Sequence, residues 1–462
     1  MSHSYDYLNN CKKLHFAGIG GISMSTIAAL ALERGCTVTG SDRSRNANIE
    51  KLEKRGVKIY EGHHAENVDG CDALVYTAAL DPDNPELVRA RELGIPLVSR
   101  GEYLGFLMST YERRIGVSGT HGKTTTTSMI SHVFLAAGLD PTVANGAVLP
   151  EIGGAYRAGG KERFVYEACE YKDSFLSFCP TDAVITNIEL DHTDYFKDLD
   201  HIISSFARAV SCAERVFVNK DNPNTMKALD NFNGRIITVS VLDPDADYYA
   251  KNVKYTHGMG SYTLCRSGEE LCRIELTVIG EFNVYNSLCA AAVSHAFGVS
   301  PEIISRAMSG FRGASRRFEL KARVRNVDVY DDYAHHPSEC ALTLNAALQM
   351  GYDRIYCVFQ SHTYSRTHDL LSDFESIFKD AKAKGIAVIF APIYAARETD
   401  TMGVSAEIMA RDVGALSFQS FDEIAEYLAS AVQDGEMVLT MGAGDVYKIG
   451  VRLIELLSEG CK

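Results

Sequence analysis

Residues 116–127 read GVSGTHGKTTTT, and the interpretation of this stretch decides the fold. An apolar run, Arg113–Ser118, leads into a loop bracketed by Gly119 and Gly122, then Lys123 and four threonines. The Walker phosphate loop G-x-x-x-x-G-K-[ST] requires glycine at position 117, where this chain carries Val117. The physical needs of a phosphate cradle are met all the same. They are free N–H groups at a helix start, a cation, and a hydroxyl for Mg²⁺. The pattern predicts strand, loop (Gly119, Thr120, His121, Gly122) and helix. Lys123 would reach the β- and γ-phosphates of ATP, Thr124 would bind Mg²⁺, and Thr125 would lie beside it. The plainer alternative is a threonine-rich helix cap, since Thr caps well. Four β-branched residues in a row are poor helix formers, and a bare cap has no use for them.

The same theme recurs. "LHFAG" runs into "GIGGISMSTIAALALERG", and near the end "MVLTM" runs into "GAGDVYKIGVRLIELL". Apolar runs alternating with Gly turns and helical segments predict an α/β fold with mostly parallel sheets. Three such units predict three domains, each with its own sheet. The boundaries are placed near Glu102–Arg114 and near Gly310–Glu319.

The totals narrow the function. At 462 residues, with 46% hydrophobic and 23% charged residues, the chain has ordinary globular composition. A net charge of −14 disfavours nucleic acid and anionic membranes as partners. The twelve cysteines are dispersed without a C-x-x-C pair, which predicts reduced thiols and a cytoplasmic protein. The N-terminal stretch lacks the apolar core of a signal peptide, and no run is long enough to span a membrane.

Two further regions carry chemistry. In "HFAGIGGISMS", Gly18, Gly20, Gly21 and Ser23 lie between a strand and a helix, where a backbone turn can approach a diphosphate. Asp42 follows about twenty residues on, the usual place for an acid on a ribose. A ligand-free tight turn is the alternative, and a nicotinamide cofactor is a second. Downstream, "VYEACEYKDSFL" carries Glu167 and Glu170, and "AVITNIELDHTDYF" carries Asn187, Glu189, Asp191, His192 and Asp194 past an apolar strand. Open α/β sheets bind ligands at such strand ends. Glu167 and His192 are candidates to share a second Mg²⁺ beside the γ-phosphate, against the alternative of solvated loop acids.

Taken together, these stretches resemble the Mur ligases, the ATP-dependent amide-forming enzymes of bacterial cell-wall synthesis. "GTHGKT" fits that family's loop, G-T-x-G-K-[ST]. The matches "NIELDHTDYF", "GEFNVYNSLCAAA", "RRFE", "DDYAHHPSE", "FQSHTYSRT", "PIYAARE" and "MGAGD" follow in order across nearly the whole chain. Within the family, "GIGGISMS", "THGK" and "EACEYKDSFL" look most like the member that adds L-alanine. Leu199–Ala207 has no lysine at the place where later members carry a carbamoylated one. The resemblance implies a Rossmann-like UDP-sugar domain (1–106), a central P-loop-type ATPase domain (107–314) and a C-terminal Rossmann-like domain (315–462). It implies ATP, Mg²⁺ (two ions), UDP-N-acetylmuramate and L-alanine as ligands, and a monomer or homodimer. It assigns Lys123 to the phosphates and Thr124, Glu167 and His192 to metal. Asn283, Asn286, Arg317, Asp331 and Asp332 go to the nucleotide, although Arg316 is an alternative to Arg317 and Phe282 stands where the family has His. Gly18, Gly20, Gly21, Ser23, Asp42, Glu170, Tyr333, His335 and Arg366 go to the other substrates, with His335 a candidate proton acceptor. The chemistry implied is ATP-driven formation of an acyl phosphate on the lactoyl carboxylate, followed by attack of the amine. The nearest alternative is the member that attaches a recycled tripeptide; a ligase-derived regulator and a polyglutamate-type ligase are more distant.

Overall fold

The computed structural model describes residues 6–459 apart from 78, 193, 194 and 397, so Asp194 lies outside the described residues. Among them the strands form three sheets. The first has the order β3-β2-β1-β4-β5, with β1 Lys13–Ala17, β2 Thr37–Asp42, β3 Lys58–Glu61, β4 Ala73–Tyr76 and β5 Leu97–Ser99. All its pairings are parallel. The helices α1 (Ile22–Glu33), α2 (Ala47–Glu53), α3 (Pro85–Leu93) and α4 (Arg100–Ser109) connect or follow these strands. Parallel pairing forces such crossovers, and the short apolar runs of β1 and β4 are buried on both faces accordingly.

The second sheet is built on β6 (Arg113–Ser118). Parallel neighbours flank it, β9 (Arg163–Glu167) on one side and β10 (Asp182–Ile185) on the other. Beyond β9 come β7 (Thr142–Leu149) and the antiparallel edge strand β8 (Gly154–Arg157). Beyond β10 come β11 (Arg215–Asn219), β12 (Arg235–Ser240) and the start of β13 (Tyr248–Thr256). The helix α5 (Lys123–Ala136) leaves the carboxyl end of β6, and α6 (Leu199–Val210) precedes β11. One apolar core runs from Leu14 and Phe16 of the first sheet through Tyr103 and Phe106 of α4 to Phe164 and Tyr166 of β9.

The chain forms two compact units. The first comprises residues 1–250, 264–272 and 286–307; the second comprises 251–263, 273–285 and 308–462. The chain passes between them within β13, β14 (Met259–Arg266), β15 (Glu269–Ile279) and the helix Phe282–Ala296. The second unit carries the third sheet, order β16-β17-β21-β18-β19-β20. Its strands are β16 Glu319–Val324, β17 Val327–Asp332, β18 Ile355–Phe359, β19 Ile386–Phe390, β20 Leu416–Ser417 and β21 Met437–Met441. Only the hairpin β16–β17 is antiparallel.

One expectation changes. Cys179 and Cys212 are paired as a disulfide with Cα atoms 5.8 Å apart, so not every thiol is free. Spacing in sequence hid this pair, because 33 residues separate its members and the fold brings them together. No described helix is long and apolar enough to cross a membrane.

Candidate active site

The loop after β6 adopts a conformation that only glycine tolerates. Gly119 has φ +145° and Gly122 has φ +83°. A Cβ at Gly119 would overlap the Thr186 hydroxyl, and one at Gly122 would overlap the Asn286 amide. The segment after β10 clamps the loop. Thr120 N donates to Asn187 O at 3.0 Å, and the Thr120 hydroxyl accepts from Glu189 N (2.9 Å) and donates to Glu189 O (3.1 Å). His121 N donates to Asn187 Oδ1 (2.8 Å), while Asn187 Nδ2 and Thr186 Oγ1 donate back to His121 O. The phosphate loop and the polar strand end thus form one rigid unit.

The threonines continue into α5 as a buried hydroxyl stripe. Thr127 donates to Lys123 O and Ser128 to Thr124 O, so hydroxyls that would compete with the helix are satisfied by it. Thr126 instead donates to Asn286 Oδ1 at 3.3 Å, and Thr125 is buried beside it. Thr124 is the exception that faces an acid, donating to Glu167 Oε2 at 2.7 Å. Gly146 N donates to the same carboxylate oxygen at 3.0 Å.

Lys123 spends its three N–H bonds on Gly119 O (2.7 Å), Thr120 O (2.9 Å) and Glu170 Oε1 (2.9 Å). Glu170 has 0% exposure, and among the described residues its only cationic partner of fixed charge is this lysine. Burial alone would lower the lysine's pKa, but the Glu170 carboxylate beside it outweighs burial and holds the ammonium well above its ordinary value. Burial likewise opposes ionisation of Glu170, and Lys123 with His192 overcomes it and keeps the carboxyl below its ordinary range. His192 Nε2 stands 3.6 Å from Glu170 Oε1 and 3.9 Å from Asp191 Oδ2. Its backbone is left-handed at φ +52°, its ring packs 4.7 Å from Tyr171, and its buried Nδ1 has no hydrogen-bond partner among the described residues. Lys197 is exposed, as a surface charge would be.

The first glycine turn is closed by its own acid. Gly18 (φ +80°) and Ile19 donate to Ser41 O, and Gly20 N donates to Asp42 Oδ2 at 2.9 Å. Asn46 and Asn48 hold Gly20 O. Asp42, expected on a ribose, spends a carboxylate oxygen on the turn itself. Gly21 caps α1 through its backbone, and Ser23 lies in the first turn.

In the second unit Arg316 is absorbed into the fold. It donates to Asp331 Oδ2 (2.8 Å), Gly442 O (2.6 Å) and Gly444 O (3.0 Å). The Arg317 guanidinium lies 5.2 Å from the Tyr333 ring centre. Both aspartates turn inward. Asp331 accepts from Thr440, and Asp332 accepts from Phe318 N and Ala334 N at 2.7 Å. Burial pushes Asp332 up to about 6. Asn283 Nδ2 donates to Ile279 O, and the neighbouring Phe282 ring covers Gly280.

His335 bonds through Nδ1 to Tyr333 O at 3.0 Å, with Glu339 Oε2 at 3.2 Å. Burial pushes its pKa down to about 4, with Arg366 adding to the effect against Glu339. It is therefore neutral at pH 7. His362, which the sequence did not single out, stands beside it. Its pKa is lowered by burial and then Arg366, and its ring stacks on Tyr394. Thr363 follows at φ +69°, a strained value for a β-branched residue, and caps the helix Tyr364–Asp369 that carries Arg366. Glu398 accepts from Ser365 N at 2.9 Å. The sequence signal for His362 was only its place within "FQSHTYSRT".

This geometry has parallels among known proteins. Residues 13–112 match the Mur ligase family catalytic domain, 117–294 the Mur ligase middle domain, and 316–444 the Mur ligase glutamate ligase domain. A UDP-N-acetylmuramate–L-alanine ligase of Acetivibrio thermocellus is 45% identical over 452 residues, covering 96% of this chain and 95% of the relative. One from Caldanaerobacter subterraneus subsp. tengcongensis is also 45% identical, covering 97% and 98%. The crystal structure of the UDP-N-acetylmuramate–alanine ligase of Thermotoga maritima superposes with a TM-score of 0.82 at 27% identity, covering 97% of this chain and 99% of that one. A murein peptide ligase from Psychrobacter arcticus shares the fold with a TM-score of 0.72 at 24% identity, covering 96% and 98%. With three family domains in order along its length and a phosphate loop built as described, the chain belongs to the Mur ligase family.

Proposed function

We infer that this chain joins L-alanine to the lactoyl carboxylate of UDP-N-acetylmuramate, consuming ATP, in peptidoglycan precursor synthesis. The observation that carries this is the convergence of Lys123, Thr124 and Glu167 on the short phosphate loop. The relatives named above, matching along nearly the whole chain, supply the substrate pair. A carboxylate oxygen of the sugar attacks the γ-phosphorus, ADP leaves, and an acyl phosphate forms. The free amine of L-alanine attacks its carbonyl carbon, inorganic phosphate leaves, the nitrogen gives up a proton, and an amide results. Two anions must meet in the first step, so Lys123 acts by exchanging the Gly119 and Thr120 carbonyls for phosphate oxygens while Glu170 keeps it charged.

Thr124, Glu167 and His192 would hold Mg²⁺. Among the described residues no three His, Cys, Asp or Glu side chains close around an ion. Mg²⁺ suits that shortfall, since it is usually held by one or two carboxylates with substrate phosphates completing the shell. Bound there, it neutralises phosphate charge. In the second unit, neutral His335 offers Nε2 as an acceptor for the amine proton, and Arg366 offers a planar fork to the amino-acid carboxylate. Asn286 beside the loop, and Asn283 and Arg317 in the second unit, are assigned to the nucleotide. The domain limits 1–106, 107–314 and 315–462 and a cytoplasmic location belong to the same proposal.

Phosphate release with ATP, Mg²⁺ and UDP-N-acetylmuramate tests the reading against a panel of amino acids and the cell-wall tripeptide. L-Alanine should be the preferred acceptor. Preference for the tripeptide would replace the assignment by that of a murein peptide ligase.

A further inference from the structure

Cys179 and Cys212 differ from the other cysteines. Both are exposed, whereas the nine free thiols among the described residues are partly or fully buried. Cys179 follows the turn Tyr171–Ser177, and Cys212 follows α6. The chain on either side of the bond is held without it. Arg114 Nε donates to Cys179 O (2.8 Å), Glu214 N donates to Thr181 O (2.9 Å), and Asp182 of β10 lies in register with Arg215 of β11. Asp173 accepts from Arg208 Nη2 (2.9 Å) and from the Ser205 hydroxyl, both on α6. The two residues therefore stay within bonding reach whether or not they are bonded. In the cytoplasm proposed above, disulfides are usually transient and redox-sensing rather than structural.

Beside Cys212 lies a cleft of about 600 Å³, within the roughly 300–1,000 Å³ of small-molecule sites. Ser211 and Ala213, the two neighbours of Cys212, line it, with Ser204 and Arg208 of α6 and with Lys227 and Asn231 farther along the chain. Arg208 and Lys227 are its charged residues, and no Asp or Glu lines it. Arg208 shares its charge with Asp173. The Lys227 ammonium is exposed and has no ion pair among the described residues. On a chain of net charge −14, an acid-free cleft with two cations selects anions. The Asn231 amide adds N–H donors. The complement is a small molecule with carboxylates, and the adjoining disulfide asks that it carry a thiol.

We propose that Cys179 and Cys212 form a reversible thiol–disulfide couple, and that this cleft seats a carboxylate-bearing low-molecular-weight thiol that exchanges with it at Cys212. The small thiolate attacks Cys212 Sγ, the Cys179–Cys212 bond breaks, and Cys179 leaves as a thiolate that takes up a proton. A second molecule of the thiol attacks the small-molecule sulfur of the mixed disulfide and releases Cys212 as the second thiolate. The protein disulfide is thus reduced by two electrons, and two small thiols are oxidised to one small disulfide. That small disulfide drives the reverse reaction. Closing the bond ties off residues 180–211, which include Thr186 and Glu189 of the clamp on the phosphate loop, so oxidation stabilises the span that holds the loop.

Exchange is measured on the full chain by alkylating free thiols and weighing the protein, without ATP or muramoyl nucleotide. Glutathione is the anionic probe and 2-mercaptoethanol the neutral one, with rates expressed per thiolate. Glutathione should open the bond about 10-fold faster than 2-mercaptoethanol at low salt, and the advantage should shrink as salt rises. Lys227→Glu should remove that advantage and leave the 2-mercaptoethanol rate unchanged. Cys179→Ser treated with glutathione disulfide should gain one glutathionyl group, on Cys212. Equal rates for the two probes would overturn the cleft as the thiol's seat, as would a Lys227→Glu chain that keeps the wild-type preference. The first of these comparisons uses wild type alone and decides even if the variant does not fold. A bond that glutathione leaves closed would overturn the couple, including the case in which only a protein dithiol opens it. Reduction should lower the melting temperature of wild type and leave that of Cys179→Ser unchanged; no shift in wild type would detach the bond from the clamp. None of these readouts involves ligation, so their failure leaves the proposed function in place. A chain that exchanges thiols as expected but joins no alanine overturns that function alone.

Discussion

The two glycine turns of the first unit share a backbone plan and differ in charge. Each links a parallel strand to a helix and contains a glycine at positive φ, Gly18 in one and Gly119 and Gly122 in the other. The first is closed by an acid, Asp42, and carries Ile22 where its helix begins. The second begins its helix with Lys123, backed by buried Glu170. The lesson is that the turn makes a place for phosphate, while the residue at the helix start and its buried partner set what the place does.

The largest expected effect is at the cation itself. Lys123→Ala should reduce ADP release by about 10³-fold, the scale for removing a preorganised electrostatic contact, and should lower the melting temperature as well, because Glu170 is left buried without its cation. Near-normal turnover would erase the contrast between the loops. Next comes the partner. Glu170→Gln leaves a buried ammonium with a neutral acceptor, which should cost roughly 1–3 kcal/mol of stability. ATP should raise the variant's melting temperature by more than it raises that of the wild type, because phosphate replaces the missing charge. An equal rise in both would show that phosphate does not take up the charge that Glu170 balances in the wild type.

Smaller effects separate the turns by geometry. Gly20→Ala would push a Cβ to within 2.8 Å of Asp42 Oδ2 and the Asn46 amide. It should weaken UDP-sugar binding while leaving ATP binding intact; the reverse pattern would exchange the roles of the turns. The smallest effect is on pH dependence. Beside β1 and β2, Glu86 is buried against His15, Asn67 and Ser41, and these bonds overcome burial to hold its pKa at about 2. Its contribution is complete above pH 4.5 and is lost as pH falls from 4.5 towards 2. In the second unit, His335 contributes fully above pH 6.5 and loses its share as pH falls towards about 4. Asp332 has the opposite sign, since its raised pKa costs stability as pH rises from 3.8 to about 6. Urea midpoints across pH 3–7 should slope more steeply below 4.5 for wild type than for Glu86→Gln. Parallel curves would remove Glu86 as an acid-labile point.

Much of the site was legible in sequence because its parts lie close along the chain. The phosphate loop needs only a strand, two glycines, a lysine and a hydroxyl in fixed order, and β6 through α5 supply them. The "TNIE" segment was legible as polar residues past a strand, though its work as a clamp on His121 and Thr120 was not. Glu170 was expected at a substrate and is found against Lys123, because three residues after Glu167 the chain turns inward.

By itself, the sequence determined the alternating α/β architecture, the three sheets and the short phosphate loop. These follow from local periodicity and from glycine's freedom at positive φ, and neither needs a distant partner. Tertiary structure alone decided that Arg316 is absorbed into the fold, that Cys179 meets Cys212, and that Lys123 rests on Glu170. The physical reason is that burial and pairing of charge depend on atoms brought together across tens of residues, and the low dielectric of the interior makes those few pairings decisive.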